Sequence, residues 1–193
     1  MKNILVVLVL LALSGCVSVA KIESGDKKMG ERMTISIDGA WNHVNAPGMG
    51  PAETWTMDGL PIDQLLLYSG LKDGQAIHAA AGGGTDAQRK SFIFRSGMQP
   101  DEIAALFEGM LTRDGSRYKL VKLEPVTFGG SKGFRFEFSL TRKIDNVELS
   151  GVGYGTVSKG ELFAIVYMAP RLGFFPRHAG RVEQMARSAR VSQ

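Results

Sequence analysis

Cysteine and histidine are scarce in this 193-residue chain, which has one cysteine and three histidines. A single thiol cannot form a disulfide within the chain or a cysteine-built zinc site, because each needs at least two thiols. The histidines, His43, His78 and His178, lie far apart without a second ligand at helical spacing. Packing or surface roles are their plainer interpretation, and we predict neither a metal site nor a cofactor.

Sequence motifs for catalysis are also missing. The chain contains no GxSxG nucleophile elbow, and its glycine-rich segment 82–86 lacks the order of a phosphate-binding loop, so a flexible surface loop is the simpler interpretation. Asp58, Asp63 and Asp145 could supply a carboxylate pair, but Asp58 and Asp145 stand in turn sequences where aspartate commonly bonds the local backbone. We therefore predict no catalytic residues and no enzyme.

Long apolar runs are confined to the amino terminus, and charge of neither sign dominates. The chain is 44% hydrophobic and 22% charged, which indicates a folded domain and excludes a disordered tail protein. Its 23 lysines and arginines against 19 acidic residues leave a net charge of +4. This surplus favours contact with anionic surfaces without indicating nucleic acid.

Residues 1–16 read MKNILVVLVLLALSGC. Lys2 precedes an apolar run from Ile4 to Leu13, which is about half of the ~20 residues that a helix needs to cross a bilayer. Such a run is typical of an export signal and not of a permanent membrane span. Because the protein is exported and has no aromatic-basic motif of the RNA-binding type, we expect no nucleic acid partner.

The end of this signal, Leu13-Ser14-Gly15-Cys16, resembles a bacterial lipobox. The resemblance implies cleavage before Cys16, lipidation of its thiol, and three acyl chains, palmitate among them, that anchor the protein in a membrane. Val17 follows the cysteine, and in bacterial lipoproteins a residue other than aspartate there favours the outer membrane. The alternative is an ordinary signal peptide with a cysteine near its cleavage point.

Composition divides the chain into three parts. We expect a lipoprotein signal peptide over residues 1–15, a lipidated amino terminus with a flexible linker over 16–31, and one α+β domain over 32–193. The linker is expected because its composition turns polar and charged, with Gly25 and Gly30 among its residues. An ordered sheet edge within this segment is the alternative.

Two amphipathic helices are predicted. The first follows Pro100, with acids in its first turn and an apolar stripe that ends at Met110 and Leu111. The second runs from about Phe174 to Arg190, with arginines on the side opposite its apolar face.

Alternating apolar residues predict an antiparallel meander between the helices and further strands before them. Gly151, Gly153 and Gly155 fall on one side of a strand, so aromatic side chains or a helix could pack very close there. A strand over Leu162–Met168 is apolar on both faces and belongs in the middle of a covered sheet. The predicted strands are Met33–Ile37, Pro61–Tyr68, Tyr118–Val126, Phe134–Leu140, Val147–Val157 and Leu162–Met168.

The economical arrangement is an α+β fold, an antiparallel sheet packed with both helices. Its order of elements, from Pro100–Leu111 through the meander to Ala169-Pro170 and the last helix, resembles the Mog1/PsbP-like fold, an α/β/α sandwich. The resemblance covers roughly residues 33–191 and implies a non-catalytic scaffold or binding module, with no site residue carried over.

Arg171, Phe174, Phe175, Arg177 and Arg181 form a candidate interaction surface, because aromatic residues between arginines at a helix start are typical of interfaces. Burial of both phenylalanines at the end of the core is the plainer interpretation. The arginine face of the last helix, which also includes Arg187 and Arg190, could meet anionic lipid or an acidic partner, or simply be solvated.

The function predicted from these observations is that of an outer-membrane lipoprotein facing the periplasm. It would be anchored through Cys16 and act by binding an envelope protein. The alternative is an envelope hydrolase or small-ligand carrier with a pocket near the Gly82 loop.

Overall fold

The computed structural model describes residues 17–46, 49–78 and 92–192, which form eleven strands and two helices. The helices are α1 (Pro100–Leu111) and α2 (Phe175–Ser188). The strands are β1 (Ser18–Ile22), β2 (Gly25–Met29), β3 (Met33–Ile37), β4 (Trp41–Asn45), β5 (Glu53–Thr56), β6 (Gln64–Lys72), β7 (Arg117–Phe128), β8 (Ser131–Thr141), β9 (Glu148–Ser158), β10 (Glu161–Pro170) and β11 (Arg190–Val191).

Eight strands form one antiparallel sheet in the order β1-β4-β5-β6-β10-β9-β8-β7. A second sheet has the order β11-β3-β2. Strands β7 to β10 are neighbours in sequence and in space, which confirms the predicted meander, and the α+β class is confirmed with it. None of the helices in the described parts of the chain is long and apolar enough to cross a membrane.

Strand β10 lies in the middle of the large sheet, between β6 and β9. Phe163, Ile165 and Tyr167 enter one hydrophobic core, while the alternate residues Leu162 and Val166 enter a second core on the other face. Both sets are buried because side chains of a strand alternate between its faces. The apolar pattern of this segment therefore predicted its central position correctly.

One helix belongs to each core. Val182 and Met185 of α2 pack with the second sheet in the core that contains Phe163, and Phe107 of α1 packs in the other core. Helix α1 begins as expected, since Pro100 starts it and the Gln99 backbone N–H donates to the Glu102 carboxylate at 2.7 Å.

The segment expected to be a linker is ordered from Ser18 onward, which corrects the prediction for residues 16–31. Strand β1 pairs with β4, and β2 pairs with β3. Four of the five residues of β1 are exposed, and of its side chains only Ile22 packs against a core. An exposed edge strand has the composition of a linker because its backbone pairs while few of its side chains are buried.

Two other boundaries differ from the prediction. Strand β6 begins at Gln64 and not at Pro61, because the buried Asp63 carboxylate accepts backbone hydrogen bonds from Met57 and Asp58 and closes a turn before the strand. Helix α2 ends at Ser188, since Arg190 and Val191 pair with β3.

Candidate functional site

A groove crosses the face of the large sheet beside the last turn of α1. We call it the α1 groove and define it by Gln64, Met110, Leu111, Arg113 and Met168, which line both of its arms. Gln64 and Met168 are directly paired on β6 and β10 and form the floor. Met110 and Leu111 are half-buried at the end of the α1 apolar stripe.

The first arm of the groove has a volume of about 380 Å³. Arg142 forms part of its rim and pairs with Asp145 through two hydrogen bonds of 3.0 and 2.7 Å. A further Arg142 N–H donates to the Pro61 carbonyl at 2.7 Å. The carboxylate of Asp145 raises the pKa of Arg142. This guanidinium therefore fixes the β8–β9 turn against the turn that precedes β6.

Asp114 lines the same arm beside Ser116. The Ser116 backbone N–H donates to its carboxylate at 2.8 Å. Hydrogen bonds from the Ser116 side chain and backbone lower the pKa of Asp114. The first arm thus has a charged carboxylate and the Arg113 guanidinium beside the floor that Gln64 and Met168 form.

The second arm has a volume of about 280 Å³ and reaches His78. Burial lowers the pKa of His78, and the positive charge of Arg113 lowers it further. The Tyr68 hydroxyl, also in this arm, donates to the Ile77 carbonyl at 3.0 Å, and burial raises its pKa. Neither group is ionised near neutral pH, so Arg113 is the charged group of this arm.

The predicted pocket near Gly82 can be compared with the groove only in part. Residues 79–91, which include Gly82, lie outside the described residues, as do Cys16 and the lipobox. His78, which lines the second arm, immediately precedes that segment.

The groove combines apolar side chains with a few polar groups at its ends. Methionine and leucine accept apolar side chains of varied shape, while an amide and a guanidinium can orient a bound backbone. Within the ranges 17–46, 49–78 and 92–192, no group of three or more His, Cys, Asp or Glu side chains is placed to hold a metal ion.

The five residues of the predicted interaction surface lie around the start of α2, each with a partner in the fold. Phe174 and Phe175 are half-buried against the core, and the Phe175 ring stacks on Tyr167 at 5.7 Å. Arg177 lies over the Phe174 ring at 4.9 Å. Arg171 pairs with Glu148 at 2.8 Å, and Arg181 contacts Met57 at 3.7 Å.

His178 lies on the same helix and is 95% buried. Its Nε2 atom lies 2.8 Å from Asp58, which also pairs with Arg177 at 3.5 Å. This contact fixes α2 to the turn before β6 and agrees with the interpretation of His178 as a packed residue.

The three carboxylates considered for catalysis do not converge on the groove. Asp63 is fully buried and Asp58 contacts α2, whereas Asp145 forms the ion pair with Arg142 on the rim. Each has a local structural partner.

Sequence reasoning missed Gln64 and Arg113. They are far apart in the chain, and only the pairing of β6 with β10 and the end of α1 bring them together. The available signal was the apolar pair Met110-Leu111 at the end of the helix stripe, followed after Thr112 by the basic residue Arg113.

No family model and no curated protein matches the chain. Among solved structures, it is similar to cyanobacterial PsbP from Synechocystis sp. PCC 6803, with a TM-score of 0.57, 14% identity, and coverage of 93% of this chain and 95% of that one. This similarity supports a PsbP-like fold and shows the fold alone.

Two further structures align less well. A protein of unknown function from Pseudomonas aeruginosa, described as a putative regulator, has a TM-score of 0.38 at 15% identity, with coverage of 84% of this chain and 93% of that one. The Ran-binding protein Mog1p from Saccharomyces cerevisiae has a TM-score of 0.40 at 10% identity, with coverage of 91% of this chain and 96% of that one.

Proposed function

We propose that this protein is a lipid-anchored outer-membrane lipoprotein whose domain faces the periplasm and acts as a non-catalytic binding module. The anchor is the acylated Cys16, and the binding surface is the α1 groove, which accepts a segment of an envelope protein. The lipobox supports the anchor, and the groove supports the binding role.

The observation that carries the binding role is the composition of the α1 groove. Met110, Leu111 and Met168 offer an apolar surface, and Gln64 and Arg113 stand beside it with hydrogen-bond donors. A peptide segment with an apolar side chain and an exposed backbone fits this combination, because the apolar part is desolvated while its polar groups find partners.

Site-specific photo-crosslinking tests the binding role in cells. A photoreactive amino acid at Gln64 should crosslink to one envelope protein, whereas the same group at Val121, on the far strand β7, should not. Leu111→Glu places a charge in the groove wall and should abolish the Gln64 crosslink, while Leu172→Glu, at a 79% exposed position outside the groove, should preserve it. Equal crosslinking from both positions would contradict the proposal.

The anchor is tested by intact mass and membrane fractionation of the wild type and Cys16→Ala. The wild type should show cleavage before Cys16 and added acyl mass in the outer-membrane fraction, and the variant should lose both. An unmodified soluble wild type would exclude the anchor.

The second arm of the groove favours one alternative, a carrier of a small ligand. Its 280 Å³ volume beside His78 is enough for a small apolar molecule. Native mass spectrometry of the protein purified from cell envelopes would detect a bound molecule, and His78→Phe should remove it if the carrier role holds. An envelope hydrolase would instead show turnover that depends on a groove residue.

A further inference from the structure

The strand next to the lipid anchor is part of the folded domain. Strand β1 begins at Ser18, which is paired with Asn45 of β4. Only Val17 stands between Ser18 and Cys16. Consecutive Cα atoms lie about 3.8 Å apart, so the Cα atom of Cys16 can be at most ~8 Å from that of Ser18. There is no length of chain that could act as a tether.

Strand β1 is also one edge of the large sheet, and β7 is the opposite edge. Adjacent strands are separated by ~4.8 Å, so the two edges lie ~34 Å apart across the sheet. Acyl chains on Cys16 would therefore bring the β1 edge to the bilayer and direct β7 away from it.

The side chains of β1 suit such a position. Val17 and Val19 project to the same face and are 63% and 62% exposed, which is unusual for large apolar residues of this domain. Lys21 is paired with Glu23 at 2.8 Å, so the strand brings little net charge to the surface. Exposed valines beside an acylated residue can enter the headgroup region together with the acyl chains.

We propose that the β1 edge, formed by Val17, β1 and the paired residue Asn45, is the membrane-facing surface of the lipidated protein. The domain lies directly on the bilayer in one orientation. This inference rests on the proposed lipidation of Cys16. It places β7 and its exposed Val121 on the side away from the bilayer.

Fluorescence quenching by lipid tests this orientation in the lipidated full-length protein. Acylation consumes the single native thiol, so a cysteine introduced by Asn45→Cys or Val121→Cys is the only one that reacts with a fluorophore. Both positions are exposed, so the substitutions should leave the fold intact. Each protein is placed in phosphatidylethanolamine and phosphatidylglycerol vesicles that contain a nitroxide headgroup lipid.

Quenching at position 45 should be at least about twofold stronger than at position 121, because nitroxide quenching acts over much less than the width of the sheet. A matched protein with about ten Gly and Ser residues inserted between Val17 and Ser18 should lose this difference, since a flexible spacer frees the domain to move away from the membrane.

The outcomes separate this inference from the proposed function. If mass spectrometry shows acyl chains but positions 45 and 121 are quenched equally, the anchor stands and the orientation is wrong. Weak quenching at position 45 together with crosslinked dimers would show that β1 pairs with a second copy, which also overturns it. A mass without acyl chains would overturn the anchor and the orientation together.

Discussion

Gly153 of β9 lies directly beneath the ring of Phe136 of β8, with which it is paired in the sheet. A Cβ atom at Gly153 would overlap that ring. Phe107 of α1 stacks on Phe136, with ring centroids 5.4 Å apart. The glycine thus sets how closely the aromatic layer, and α1 above it, approaches the sheet.

This contact predicts that Gly153→Ala destabilises the protein. Phe136 is fully buried between the sheet and Phe107, so its ring cannot move without disturbing the core. We expect a loss of about 1 to 3 kcal/mol, the usual cost of overpacking. Gly180→Ala is the control, because a Cβ there meets nothing and alanine favours a helix. Urea unfolding should show Gly180→Ala to be neutral or stabilising, and equal effects of the two changes would contradict the prediction.

Asp58 connects α2 to the turn before β6 through His178. Asp58→Asn should weaken this contact and the pairing with Arg177, and we expect a loss of about 1 kcal/mol in the free energy of unfolding. Glu183→Gln is the matched control, since its partner Arg187 is 76% exposed and surface ion pairs contribute little. Thermal unfolding of both variants measures the difference, and a larger effect of Glu183→Gln would count against the role of Asp58.

His78 should report on the charge of the α1 groove. Burial first, and Arg113 second, hold the pKa of His78 below its ordinary value of 6.5. Arg113→Gln should raise this pKa while leaving it below 6.5, because burial remains. The ring resonances of His78 in an NMR titration measure the change, and Arg117→Gln is the control. An unchanged pKa in Arg113→Gln would place the guanidinium farther from His78.

The same depression of the His78 pKa has a consequence for stability. Between the lowered pKa and 6.5 the unfolded chain binds more protons than the folded one, so the contribution of His78 to stability rises with pH in this window. This contribution is lost as the pH falls through the pKa that His78 has in the folded protein. The variant His78→Gln should lose this part of the pH dependence of the free energy of unfolding.

Local patterns in the sequence predicted the fold well where periodicity reflects burial. The glycines of β9 predicted that aromatic side chains or a helix would pack close to that strand, and the rings of Phe134, Phe136 and Phe138 of β8 do so. The apolar run of β10 predicted its central place. The segment of β1 was interpreted first as a linker, with an ordered sheet edge only as the alternative, because an edge strand buries few side chains. The α1 groove was missed because residues distant in sequence meet only after the sheet has formed.

Arg32 joins three parts of the fold that the sequence alone does not relate. Its guanidinium contacts Glu161 at 2.6 Å, donates to the Ser158 hydroxyl at 3.1 Å and to the Ser192 carbonyl at 2.8 Å, and lies 5.2 Å from the centre of the Phe163 ring. The turn between β2 and β3 is thereby tied to the β9–β10 turn and to the residues that follow β11.

Arg32→Lys should destabilise the protein by about 1 to 2 kcal/mol, although it keeps the charge, because an ammonium cannot make the divergent hydrogen bonds of a planar guanidinium. Arg190→Lys is the control, since Arg190 is 66% exposed and has a single ion pair with Asp26 at 3.3 Å. Urea unfolding should separate the two variants. Hydrogen exchange should show faster exchange of the Ser192 amide in Arg32→Lys. The variant loses hydrogen bonds that hold the residues after β11 against the sheet, so these residues open more often. Equal stability of the two variants would mean that the charge of Arg32, and not its geometry, holds these segments together.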